Sequence, residues 1–176
     1  MLTDFSAALI LLIFLVFVPL IDLTIVPIRW MLAQELVNGY ARRLSLCETF
    51  SESRMRMDAD PSLRTKLHNL GGVTTESINL RLRITRIFRY PHAEEFILAE
   101  KPRQIPADWL PNGAKAPCSY QLELNVRSQM SPAILLPLKG VSIPGLTKPI
   151  PFLISSSHEW ANCNPDPATG TFFLNE

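Results

Sequence analysis

The sequence predicts an α+β fold: a long N-terminal helix, its first half suited to a membrane, packed on a small antiparallel sheet. Three observations carry this. Residues 5–21 hold no charge and consist mostly of Leu, Ile, Val and Phe. Apolar residues from Leu32 to Cys47 then recur every three or four positions, the period of a helix face. Beyond Pro61 the apolar period changes to two, and twelve of the fifteen prolines follow it, which excludes a mainly helical C-terminal part.

The first element is long enough to span a bilayer, which takes about 20 residues. Twelve Leu, Ile, Val or Phe residues lie between Ala7 and Ile21. On an insertion scale they contribute about −4 to −7 kcal/mol, against about 2.5 to 3.5 kcal/mol for an acid at the centre of a span. Asp22 lies nearer the end, so insertion wins. The stretch lacks a basic leader and a small-x-small cleavage site, and it reads as retained rather than cleaved. Arg29, Arg42 and Arg43 follow the span, and taken literally they place the rest of the chain in the cytoplasm.

Residues 1–27 are therefore read as a transmembrane segment, 28–57 as an amphipathic helical extension and 58–176 as a β-rich domain. Leu32, Leu36, Tyr40, Leu44 and Cys47 form the apolar face of the extension. That face suits either the chain's own sheet or a neighbouring subunit. Pro19 and Pro27 are expected to bend the helix without ending it. It should run to about Met57 and stop before Pro61, which biases Asp60 out of helical backbone. A short helix over residues 62–70 is closed by Gly71-Gly72.

The strands follow from alternation. Ile78, Leu80, Leu82 and Ile84 alternate with polar residues, and the phase slips at Arg86, which suggests a bulge. Tyr90-Pro91 closes this strand, and residues 95–100 form a short second one. Residues 101–117, with four prolines and Asn112-Gly113, read as loop. Tyr120, Leu122, Leu124 and Val126 mark the clearest strand. Residues 133–138 are apolar but broken by Pro137, and residues 140–151 make a long connection. Phe152, Ile154, Ser156, His158 and Trp160 give the last alternating run.

The chemistry-bearing residues are few. A net charge of +1 gives no electrostatic case for nucleic acid. No nucleotide loop, nucleophile elbow or metal-ligand spacing occurs, so no catalytic residue, cofactor, metal or small-molecule substrate is expected. His68, His92 and His158 are dispersed and read as surface or strand residues. Arg81, Arg83, Arg86 and Arg89 read as a solvated strand edge that discourages pairing. Cys118 opens one strand and Cys163 follows another. If those strands are antiparallel neighbours, the two approach disulfide distance, and a bridge would imply an oxidising compartment outside the cytoplasm. Cys47 reads as a buried small apolar residue. Asp22 is an acid within an apolar helix and so a functional candidate, either paired with a basic group of a neighbouring chain or seated at the outer interface.

The N-terminal forty residues resemble the TadE-like minor pilin (pseudopilin) family of the tight-adherence pilus system. Asp4-Phe5 stands where that family has an acid and Phe leading an apolar run. Ile21-Asp22 ends the run, and Asn38-Gly39-Tyr40-Ala41-Arg42 follows on the helix. The last fifty residues fit loosely, and residues 58–117 are not covered. Asp4 replaces the family's usual Glu, and no Gly precedes it. The resemblance implies a pilin-like, non-enzymatic subunit of the bacterial inner membrane. Its outer domain would be periplasmic or extracellular, and Asp4, Phe5 and Asp22 would serve helix packing and assembly. Its partners would be the membrane and other pilin-like or pilus-assembly proteins. The alternative is a generic single-pass protein whose outer domain binds a partner or ligand.

Overall fold

In the computed structural model, which describes residues 2–87, 94–113, 116–134, 142–145 and 147–176, the chain begins with α1 (Leu2–Leu12). A π-helical turn (Ile13–Phe17) leads into α2 (Val18–Ser45). The wide turn ends two residues before Pro19, whose ring would press on the Leu15 carbonyl in a regular α-helix. Pro27 sits inside α2 without ending it.

The expected single helix to Met57 is interrupted. α2 stops at Ser45, and α3 (Phe50–Ala59) starts afresh. The cause is local capping. The Thr49 side chain accepts the Glu52 N–H at 3.1 Å, and the Glu52 carboxylate accepts the Glu48 N–H at 2.8 Å. This Thr-x-x-Glu pattern satisfies donors that a new helix leaves open. Ser53 Oγ donates to the Leu44 carbonyl at the end of α2, at 2.7 Å. α3 ends before Pro61 as expected, and α4 (Ser62–Asn69) closes at Gly71 and Gly72, both with positive φ.

Four antiparallel strands follow, in the spatial order β2-β1-β3-β4: β1 (Val73–Ile87), β2 (Glu94–Ala99), β3 (Cys118–Met130) and β4 (Ile150–Glu159). The alternation sets the register. Leu80 faces Leu124, Leu82 faces Leu122, and Val126 faces both Ile78 and Ile154. These side chains line one face and, apart from half-buried Ile78, are buried. Each fully buried one stabilises the fold by about 1.5–3 kcal/mol.

α2 covers that face, aligned with β4. Gln34 Nε2 donates to the Ser155 carbonyl at 3.1 Å, and Ser156 Oγ donates to Asn38 Oδ1 at 3.0 Å. The buried seam of α2 is Asp22, Ala33, Val37, Tyr40, Ala41, Leu44 and Ser45. The expected stripe therefore holds at Tyr40, Leu44 and Cys47 but not at Leu32, which is exposed, while Leu36 is only half-buried. Small side chains at positions 33 and 41 let the helix approach the sheet, and a reading weighted to large apolar residues passed over them.

The arginines of β1 are not a solvated edge. β1 lies between β2 and β3, and the buried Glu123 carboxylate pairs across the ladder with Arg81 at 2.7 Å and Arg83 at 3.3 Å. Arg86 continues the inward row of Leu80, Leu82 and Ile84 without a slip, so no bulge forms there. The register shift lies between Thr75 and Ser77. Its guanidinium stacks 3.9 Å from the Trp109 ring centroid and donates to the Asp108 carbonyl, and the Tyr120 hydroxyl donates to the Trp109 carbonyl at 2.9 Å. An aromatic lid thus makes an inward arginine tolerable. Arg89, Tyr90-Pro91, His92 and residues 135–141 lie outside the described residues.

Burial, then the nearby Asp60 carboxylate, pushes the Tyr40 phenol up to about 12, and burial followed by the Glu159 charge pushes the Cys163 thiol up. Both groups hold their protons more tightly in the folded chain. The stability they carry is complete below the unfolded values of about 8.5 and 10 and is lost as pH rises through the folded ones. The urea midpoint should therefore fall between about pH 8 and about pH 11. A midpoint that stays flat over that range contradicts the burial of these two groups.

Candidate functional site

The candidate site is the helix itself and its junction with the sheet. Phe5, Ile10, Leu11, Leu15 and Leu20 are all exposed along α1 and its continuation, so their apolar side chains are left uncovered by the described residues. It is long and apolar enough to cross a membrane. The exposed apolar surface does not end there. Beyond Asp22, on the side of α2 away from the sheet, Ile28, Met31 and Leu32 remain 52 %, 64 % and 50 % exposed. They fall at helical spacings of three and four, so they form one ridge.

Asp22 turns the other way. It is only 3 % exposed, and its Oδ1 accepts the Ala133 N–H at 2.6 Å. Two turns on, Arg29 Nη1 donates to the Ser131 carbonyl at 3.1 Å. Gly72 gives Arg29 room, since a side-chain carbon there would lie 3.1 Å from both Arg29 Nη1 and the Ser131 oxygen. An acid and a base on one helix thus clasp successive turns of the chain leaving β3. Charge-assisted bonds of this kind are stronger than neutral ones. This gives Asp22 an intramolecular partner. Asp4 and Phe5 lie nearly five turns away, so the three residues do not converge, and the Asp4 side chain lies outside the described residues.

Cys118 and Cys163 do not form the expected bridge. Both are free thiols, as is Cys47. The strand argument itself holds. β3 and β4 are antiparallel neighbours, and the charges of both thiols bear on the Tyr120 hydroxyl, whose pKa burial raises first. Each sulfur is instead turned to a local carbonyl, Cys118 to Ala116 at 3.5 Å and Cys163 to Trp160 at 3.8 Å. With no bridge, the cysteines carry no argument about compartment.

Other groups offer little chemistry. His158 Nε2 contacts Asn38 Oδ1 at 2.8 Å and no carboxylate among the described residues. Among those residues no set of three His, Cys, Asp or Glu side chains is gathered at metal distance. A cavity of about 460 Å³ lies where β1 runs beyond its pairing with β2, lined by Arg54, Arg81 and Arg127 with Asp58 and Glu100. The mixed charges suit no single ligand class. Sequence reasoning missed the apolar ridge, because it assigned Leu32 to the buried stripe, and it missed Arg29 as a clasp. The signal for the ridge was present: the small residues Ala33, Val37 and Ala41 mark the sheet side and leave Ile28, Met31 and Leu32 opposite. No protein-family model, curated protein or solved structure matches this chain.

Proposed function

We propose that this chain is a pilin-like assembly subunit of a tight-adherence pilus, acting by helix packing rather than catalysis. The apolar helix holds it in the bacterial inner membrane, with the sheet domain outside the cytoplasm, and joins it to like helices in the filament or its base. The single observation that carries the reading is the exposed ridge of Ile28, Met31 and Leu32. A plain anchor ends where the bilayer ends. Here apolar surface continues for about 15 Å past Asp22 at about 1.5 Å per residue, above a clasp that already ties the helix to its domain. Apolar surface that continues beyond a span suits a contact with another protein. The resemblance at Asp4-Phe5 and Ile21-Asp22 supports a pilin-like reading.

The test is the double variant Met31→Glu with Leu32→Glu. Both side chains point away from the sheet, so the unfolding midpoint in detergent should match the parent within about 0.5 kcal/mol. Surface pilus yield and adherence should be lost. Unchanged yield and adherence with the variant at normal abundance overturn the proposal and favour the alternative, a single-pass tether for a binding domain.

A further inference from the structure

We infer that the described ends of the β3–β4 connection, Ile134 on one side and Ile143 with Lys148 on the other, form a second membrane contact, seated on the phosphate headgroups beside the helix. The inference rests on the helix spanning a bilayer, and not on pilus assembly. Its basis is a level comparison along the packed helix and strand. Gln34 meets Ser155, and α2 follows β4 in the same direction, since the Ala161 N–H further on donates to the Ser45 carbonyl. From Gln34 back to Asp22 is twelve residues of helix, about 18 Å. From Ser155 back to Ile150 is five residues of strand, about 17 Å. The start of β4 is therefore level with Asp22, where the charge-free run of residues 5–21 ends.

The other end of the connection agrees. Ile150 pairs with Met130, and three residues after Met130 the Ala133 N–H is held by Asp22. Both ends of the connection thus leave the sheet at the level of Asp22, where the charge-free run gives way. The described parts carry the right chemistry for it. Ile134 is 39 % and Ile143 45 % exposed at this base, and Lys148 is exposed beside them. Residues 143–145 and 147–148 are tied to one another. Thr147 N–H donates to the Ile143 carbonyl at 2.9 Å, and the Ile143 N–H donates to Thr147 Oγ1 at 2.8 Å. Gly145, with φ +83°, packs against Ile150. The sequence from Pro132 to Pro151 contains two lysines and no acid. Apolar side chains with lysine nearby and no carboxylate match the headgroup boundary, where the apolar part dips in and the ammonium meets phosphate.

The test uses the full chain, one copy per lipid nanodisc, with Ile143→Trp as reporter and Ala168→Trp as control at the far end of the domain. The native tryptophan emission is subtracted. In discs whose acyl chains are brominated near the headgroup, the emission added by Ile143→Trp should be largely quenched, and that added by Ala168→Trp retained. Ile134→Trp should behave as Ile143→Trp does, and it serves if the first variant misfolds. Added emission from both base reporters that survives bromination overturns the inference. A blue-shifted but unquenched signal also overturns it, by giving the patch to protein contact instead. Because each disc holds one copy, these outcomes are independent of whether the chain assembles with others.

Discussion

Trp160→Ala is expected to destabilise the domain by about 3–5 kcal/mol, the usual cost of removing a buried indole. Trp160 is buried just after β4, and its ring meets Phe50 edge-on with centroids 6.5 Å apart. Its Nε1 donates to the Asn162 carbonyl at 2.7 Å, and its backbone N–H donates to the Tyr120 carbonyl at 2.9 Å. The residue therefore joins the end of the sheet to the start of α3. Domains of this kind have about 5–15 kcal/mol in all, so the loss is a large share of the total. Urea unfolding of the full chain in detergent gives the value directly. A loss below about 1 kcal/mol means that Trp160 is not the joint described here.

Asp22→Leu should separate the helix from the base of the sheet. The substitution keeps the apolar character of the span but leaves the Ala133 N–H without its acceptor. A buried donor so orphaned costs about 1–3 kcal/mol. Asp22→Asn keeps an acceptor oxygen and should cost less. Amide exchange is the clearer readout, because the Ala133 amide should be protected in the parent, partly protected with Asn and fast with Leu. Equal protection in all three would show that Asp22 does not hold the β3 exit. In that case the acid faces outward, as a pairing partner for a neighbour.

The parts of this fold that were legible in the sequence are those in which one physical rule acts alone. The alternation at Leu80, Leu82 and Leu122, Leu124 placed two central strands, because a half-buried strand admits little else. The uncharged run of residues 5–21 placed the exposed helix. Legibility failed where two rules compete. At Arg86 a charged residue occupies an inward position, and the distant Asp108 and Trp109 hold it there, so its phase looked like a slip. At residues 46–49 the apolar period runs on while the Thr49–Glu52 cap breaks the helix. Along α2 the sheet side is marked by small residues, which carry little weight in an apolar count, and the face was read one position off. For the site, Asp22 was picked out as unusual, but its partner Ala133 is 111 residues away and no local pattern names it.

The central claim is that Ile28, Met31 and Leu32 are covered by the helix of another subunit. Photo-crosslinking in the native membrane tests it most directly. A photoreactive residue at position 31 should yield adducts with helix-bearing subunits of the pilus machinery. The same residue at position 153, exposed on β4 away from α2, should yield none of these. Position 31 giving only lipid adducts, or none, would contradict the account and leave the helix as a tether.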